Sequence, residues 1–162
     1  MKSQKLSLEK RFVRKSKFTF RLLTSPIRLF PSFIIFGVPR CGTTSLYNYL
    51  IQHPFVEPAF AKEIGFFEKN YDKGLRWYKQ FFPIYFHRYK LLKDFQSDFI
   101  TGEATATYIN NPHVPARIKK CFPDVKLIVL LRNPVDRAFS QYFKIVKEGR
   151  ENLSFEDAIN CE

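Results

Sequence analysis

The sequence predicts an α/β domain built on a parallel sheet, and three observations predict it. A continuous apolar run, Phe33-Ile34-Ile35-Phe36, lies between Pro31 and a turn at Gly37. A second run occupies Lys126–Leu131. Each is followed by a segment with helical spacing. Apolar runs without polar alternation are those of strands buried on both faces, and strands that alternate with helices pair in parallel.

The elements follow in order. Residues 1–32 form a basic arm: nine Lys and Arg against Glu9 alone give residues 1–30 a charge of +8, out of +12 for the chain. Such an arm is expected to be solvated or loosely packed, and it can contact an anionic surface. After the first strand, Thr43–His53 reads as a helix with Leu46, Tyr49 and Leu50 on one face, stopped by Pro54. A loop carries Lys62 to Phe67, and an aromatic helix spans Gly74–Phe82 up to Pro83. Phe99–Glu103 suits a short strand, and Val114–Cys121 a helix that tolerates Pro115 in its first turn. Lys126–Leu131 is read as the second buried strand. Pro134–Glu148 is a helix with proline near its first position, where a missing N–H costs nothing. Ser154 with Asp157 has the spacing of a capping box. The last helix has only just begun where the sequence stops, so the sheet is expected to be truncated at its C-terminus.

Composition narrows the class. A chain of 162 residues fits one domain, and a domain of that size buries roughly 70% of its unfolded surface. A hydrophobic content of 45% argues against disorder, and 19 Phe predict a Phe-rich core. No run approaches the ~20 apolar residues of a membrane span, and no signal peptide is apparent, so a cytoplasmic location is expected. Cys41, Cys121 and Cys161 are widely spaced with no CxxC, which favours neither a disulfide framework nor a zinc site. Zinc-finger spacing and RNA-recognition motifs are missing too, so no specific nucleic-acid partner is expected.

The chemistry starts at Gly37-Val38-Pro39-Arg40-Cys41-Gly42-Thr43-Thr44, between a strand and a helix. Glycines allow the tight turn, and the helix start aims free N–H groups at an anion. Gly37 and Gly42 have the spacing of the nucleotide-triphosphate loop, but Thr43 stands where its Lys belongs, and the cation is Arg40. A triphosphate hydrolase or kinase also needs an acid at the end of a neighbouring strand to hold Mg²⁺. Here that strand ends in Arg132, a guanidinium that suits a second phosphate, and Ser140 can add a hydroxyl. Two phosphate sites without a metal acid point to a nucleotide carrying separate phosphates and no metal. A phosphate-loop kinase and a basic nucleic-acid or membrane-surface module are the alternatives.

These residues resemble the sulfotransferases that use 3′-phosphoadenosine 5′-phosphosulfate. Phe33–Ser45 resembles their 5′-phosphosulfate loop, and Arg132 to Ser140 their 3′-phosphate motif, RxPxxRxxS. The heparan-sulfate type, the glucosaminyl N- and 3-O-sulfotransferases, is the nearest resemblance. It runs through Gln52-His53-Pro54, Lys62-Glu63-Ile64-Gly65-Phe66-Phe67, Gly74-Leu75-Arg76-Trp77-Tyr78 and Gly102–Tyr108. The resemblance covers residues 33–160 and implies that 33–162 is the N-terminal part of such a domain, a P-loop-like three-layer α/β/α sandwich. It also implies roles. Glu63 is the base for a hydroxyl or amine of the acceptor, expected to be a saccharide, and Arg40 steadies charge on the leaving phosphate. Cys41, Gly42, Thr43, Thr44 and Ser45 serve the 5′-phosphate, while Arg132 and Ser140 hold the 3′-phosphate. Lys62 and Glu103 fall on the acceptor side. Two positions depart from the heparan type: Ala104, where those enzymes carry Lys, and Gly65, where those acting on 3-hydroxyls often carry His.

Overall fold

The computed structural model describes residues 16–85 and 99–161. Basic residues 2–15 of the arm lie outside them. Four parallel strands, β1 (Phe33–Gly37), β2 (Val56–Pro58), β3 (Ile100–Ala104) and β4 (Lys126–Leu130), take the order β2-β3-β1-β4. The helices are α1 (16–23), α2 (Thr43–Leu50), α3 (Phe66–Lys69), α4 (Gly74–Lys79), α5 (Val114–Cys121), α6 (Pro134–Lys147) and α7 (Phe155–Asn160).

β1 is the spine. It pairs through Phe33, Ile34 and Ile35 with Gly102, Glu103 and Ala104, and through Phe33–Gly37 with Lys126–Leu130. Its side chains alternate between two cores. Phe33 and Ile35 pack with Tyr47 of α2, Val56 and Ala104, while Ile34 points the other way into Phe66, Phe67, Tyr78, Tyr108, Val114 and Ile118. Helices therefore cover both faces, and the sheet is the middle layer of three. The second core is aromatic, as the phenylalanine count predicts: Phe66 stacks on Tyr78 at 4.3 Å between ring centres, and Phe67 meets Tyr78 and Tyr108 edge-on. Gly37 is required where β1 meets β4, because a Cβ there would lie 2.1 Å from the Leu130 carbonyl oxygen.

Several expectations are corrected. β4 is not buried: Leu127 is 47% and Val129 49% exposed, because β4 ends the described sheet. The helix expected over Thr43–His53 stops at Leu50, and the one over Gly74–Phe82 stops at Lys79, although Phe81 and Phe82 remain core residues. The loop from Lys62 to Phe67 already turns into α3 at Phe66.

The described end of the arm is docked rather than loose. Arg28 is 4% exposed and donates to the Phe82 carbonyl at 2.8 Å, and Arg21 donates to the Gln80 carbonyl at 2.7 Å. These carbonyls follow the end of α4, where acceptors lack intrahelical donors and a cation is favoured. Burial first, then the Arg28 charge, lowers the Arg21 pKa to about 10. No described helix is long and apolar enough to cross a membrane.

Candidate functional site

The site forms at the carboxyl ends of β1 and β4. Between β1 and α2 the backbone turns left-handed twice, at Arg40 (φ 75°) and Gly42 (φ 90°). Only the second is easy for its residue type, so Arg40 stores strain of the kind that collects at functional sites. Gly42 is the N-cap of α2 and no side chain caps that helix, which leaves its first N–H groups for another acceptor.

The segment after β4 completes the cleft. Asn133 caps α6, its Oδ1 accepting from Val135 N–H at 2.9 Å, and Pro134 occupies the first turn. Arg132 and Ser140 are thereby turned towards the loop. Arg40 Nε donates to Ser140 Oγ at 3.0 Å, and Arg132 Nη1 donates to the Arg40 carbonyl at 3.3 Å. Arg40, Cys41, Gly42, Thr43, Thr44, Ser45, Arg132 and Ser140 line one open cleft of about 480 Å³. No lining residue is acidic, so two guanidinium groups, the α2 start and several hydroxyls face one space. These are the features an anion with two phosphate groups requires.

Beside the cleft, Lys62 Nζ donates to Thr44 Oγ1 at 2.9 Å and ties the Glu63 turn to the start of α2. Glu63 does not line the cleft. It is exposed, left-handed at φ 53°, and clamped at both ends: its N–H donates to the Ala104 carbonyl at 2.9 Å, and its Oε2 accepts from Ala106 N–H at 3.2 Å. An exposed carboxylate beside this cleft can accept a proton from a second molecule.

Glu103 corrects the expectation that it touches the acceptor. It is 0% exposed, and its carboxylate accepts from Tyr78 at 2.5 Å, Tyr108 at 3.1 Å and Thr105 at 2.8 Å. Burial pushes its pKa up to about 7, against the opposing pull of those three hydroxyls. Sequence reading missed this hydroxyl cage. Its signal was the spacing Glu103, Thr105, Tyr108, which carries meaning only once Tyr78 arrives from a distant helix. Among the described residues no group of three or more His, Cys, Asp or Glu is gathered to hold a metal ion.

Strand, glycine turn, uncapped helix start and paired arginines define a phosphate-loop-like α/β protein with an open cleft free of acidic residues. A sequence profile described as the sulfotransferase domain matches residues 30–160, and the chain belongs to the sulfotransferase family. It is 37% identical over 124 residues to the membrane-associated sulfotransferase kil1 of Dictyostelium discoideum, a match covering 76% of this chain and 25% of that protein. It is 38% identical over 135 residues to the human heparan sulfate glucosamine 3-O-sulfotransferase 3A1, covering 83% of this chain and 30% of that protein. The crystal structure of a sulfotransferase from Alicyclobacillus acidocaldarius superimposes with a TM-score of 0.59 at 35% identity, covering 80% of this chain and 55% of that one. The chain thus spans less than a third of the length of these two curated relatives.

Proposed function

We propose that the chain carries the donor site and the acceptor base of an enzyme that moves a sulfuryl group from 3′-phosphoadenosine 5′-phosphosulfate to a saccharide hydroxyl or amine. The observation that carries this reading is the single cleft in which Arg40, Arg132, Ser140 and the start of α2 converge with no acid among them. The family supports the donor, and the named substrate of the human relative supports a saccharide acceptor.

When bound, the donor supplies a sulfuryl group whose bond to the 5′-phosphate oxygen breaks as the acceptor's bond to sulfur forms. The residues of this chain do the rest. The N–H groups and hydroxyls of Thr43, Thr44 and Ser45 bind the 5′-phosphate. The Arg40 guanidinium steadies the negative charge that grows on the departing phosphate. Arg132 and Ser140 take the 3′-phosphate. Glu63 removes the acceptor's proton, and Lys62, fixed on Thr44, keeps that turn beside the cleft.

Calorimetry tests the reading. The product nucleotide, 3′-phosphoadenosine 5′-phosphate, should bind without Mg²⁺ and more tightly than ATP. Tighter, Mg²⁺-dependent ATP binding would replace the reading with a kinase.

A further inference from the structure

The buried Glu103 carboxylate has no part in the transfer chemistry, yet three hydroxyl groups are committed to it. An ionised carboxylate only accepts, so each hydroxyl must turn its proton inwards. Two of them then present lone pairs on the other side. Thr105 Oγ1 accepts from Gly65 N–H at 3.4 Å, and the Tyr108 hydroxyl accepts from Phe67 N–H at 3.3 Å. The Gly65 amide lies in the turn that follows Glu63, and the Phe67 amide in the first turn of α3. The chain leaving β3 grips Glu63 itself through Ala104 and Ala106.

We propose that Glu103 is a positioning residue, whose carboxylate orients the Thr105 and Tyr108 hydroxyls so that they hold the Gly65 and Phe67 amides and set the turn presenting Glu63. The catalytic consequence rests on Glu63 being the base; the structural one does not. Protonation reverses the orientation. A neutral carboxyl must donate its proton, and the hydroxyl receiving it no longer has to face inwards.

The groups facing Glu103 are Tyr78 of α4 and, from the segment after β3, Thr105 and Tyr108; Tyr47 of α2 and Glu63 lie within reach of its charge. Burial raises the pKa of Tyr47, Tyr78 and Tyr108, so all three keep their protons at neutral pH. Among these groups Glu103 is the one whose protonation burial brings close to neutral pH.

Backbone hydrogen exchange on the chain, measured one unit below and one unit above neutrality, reads the turn directly. Protection of Gly65 and Phe67, corrected for intrinsic exchange, should be higher on the alkaline side. Glu103→Gln should lower it there about 10-fold or more and remove its pH dependence. Thr105→Val should release Gly65 alone, and Tyr108→Phe should release Phe67 alone, which separates loss of the hold from loss of the fold. In turnover assays Glu103→Gln should lower kcat about 10-fold with the donor KM within a few-fold. Unchanged protection in Glu103→Gln, or equal loss at both amides in each hydroxyl variant, would overturn the proposal. The expected exchange pattern in a chain that transfers no sulfuryl group would sink the reaction and leave the positioning role standing.

Discussion

The two flanks of β1 are built to opposite rules. On the β3 flank Thr101, Gly102, Glu103, Ala104 and Thr105 are all buried, and hydroxyls, amides and a carboxylate close on one another. On the β4 flank Leu127 and Val129 stand half exposed, Leu131 is 71% exposed, and Arg132 lies open to solvent. The first flank holds the turn that presents Glu63; the second carries the Arg132–Ser140 corner. Under the proposed function their difference separates two tasks. A group that must meet a proton at one angle is set on a closed network, because small displacements cost rate steeply. An anion corner works through long cationic side chains and a helix start, which still attract when they shift.

The largest expected effect tests the closed flank. Glu63→Gln keeps the size and one acceptor atom but removes proton affinity. With a hydroxyl acceptor, turnover should fall by about 10²–10⁴-fold while affinity for 3′-phosphoadenosine 5′-phosphate stays within a few-fold. Steady-state kinetics beside calorimetry would check this; near-normal turnover would take Glu63 off the reaction.

Next in size is the effect of pH on stability. Glu103 holds its proton to about pH 7 in the folded chain, against a usual value of 4.5. Between those values the folded chain binds more protons than the unfolded one, so stability falls as pH rises. The contribution is fully present below the unfolded value and lost above the folded one, a change of about 3 kcal/mol. Urea midpoints on both sides of the window should drop less in Glu103→Gln than in the unaltered chain. The same slope in both would place the proton elsewhere.

The smallest effect sharpens the open flank. Arg132→Ala should weaken 3′-phosphoadenosine 5′-phosphate by roughly 10- to 150-fold, the range for a charge-assisted hydrogen bond. Adenosine 5′-phosphosulfate, which lacks the 3′-phosphate, should lose far less. Equal losses for both ligands would show that Arg132 acts through the loop it touches at the Arg40 carbonyl.

What was legible in the sequence divides along the same line. The turn from β1 into α2, the helix Val114–Cys121, Pro134 opening α6 and the Ser154 cap on Asp157 are local signals, and the structure bears them out. All eight residues expected to bind the donor line one cleft, because adjacent strands bring two local motifs together. What escaped depends on distant partners. β2 has three residues, one of them proline, and is a strand only through its pairing with β3. The apolar run of β4 reads as buried on both faces, yet its cover is not set by its own sequence. Arg28 sits inside on the Phe82 carbonyl, which arrives from beyond α4, and no charge pattern announces it. Glu103 looks like a surface acid until Tyr78 and Tyr108 close over it.

The central place of β1 in the sheet has a consequence for how the chain is made. β1 leaves the ribosome ahead of its neighbours β3 and β4, which lie far along the chain from it. Contacts between residues so far apart in the chain form slowly, since the intervening segment must first surrender its freedom. Until then Phe33-Ile34-Ile35-Phe36 is an apolar stretch with two unpaired edges, the kind of segment that recruits other chains. The strand that carries the glycine loop is thus synthesised before either neighbour that encloses it, and during that interval it is a segment for a chaperone to shield.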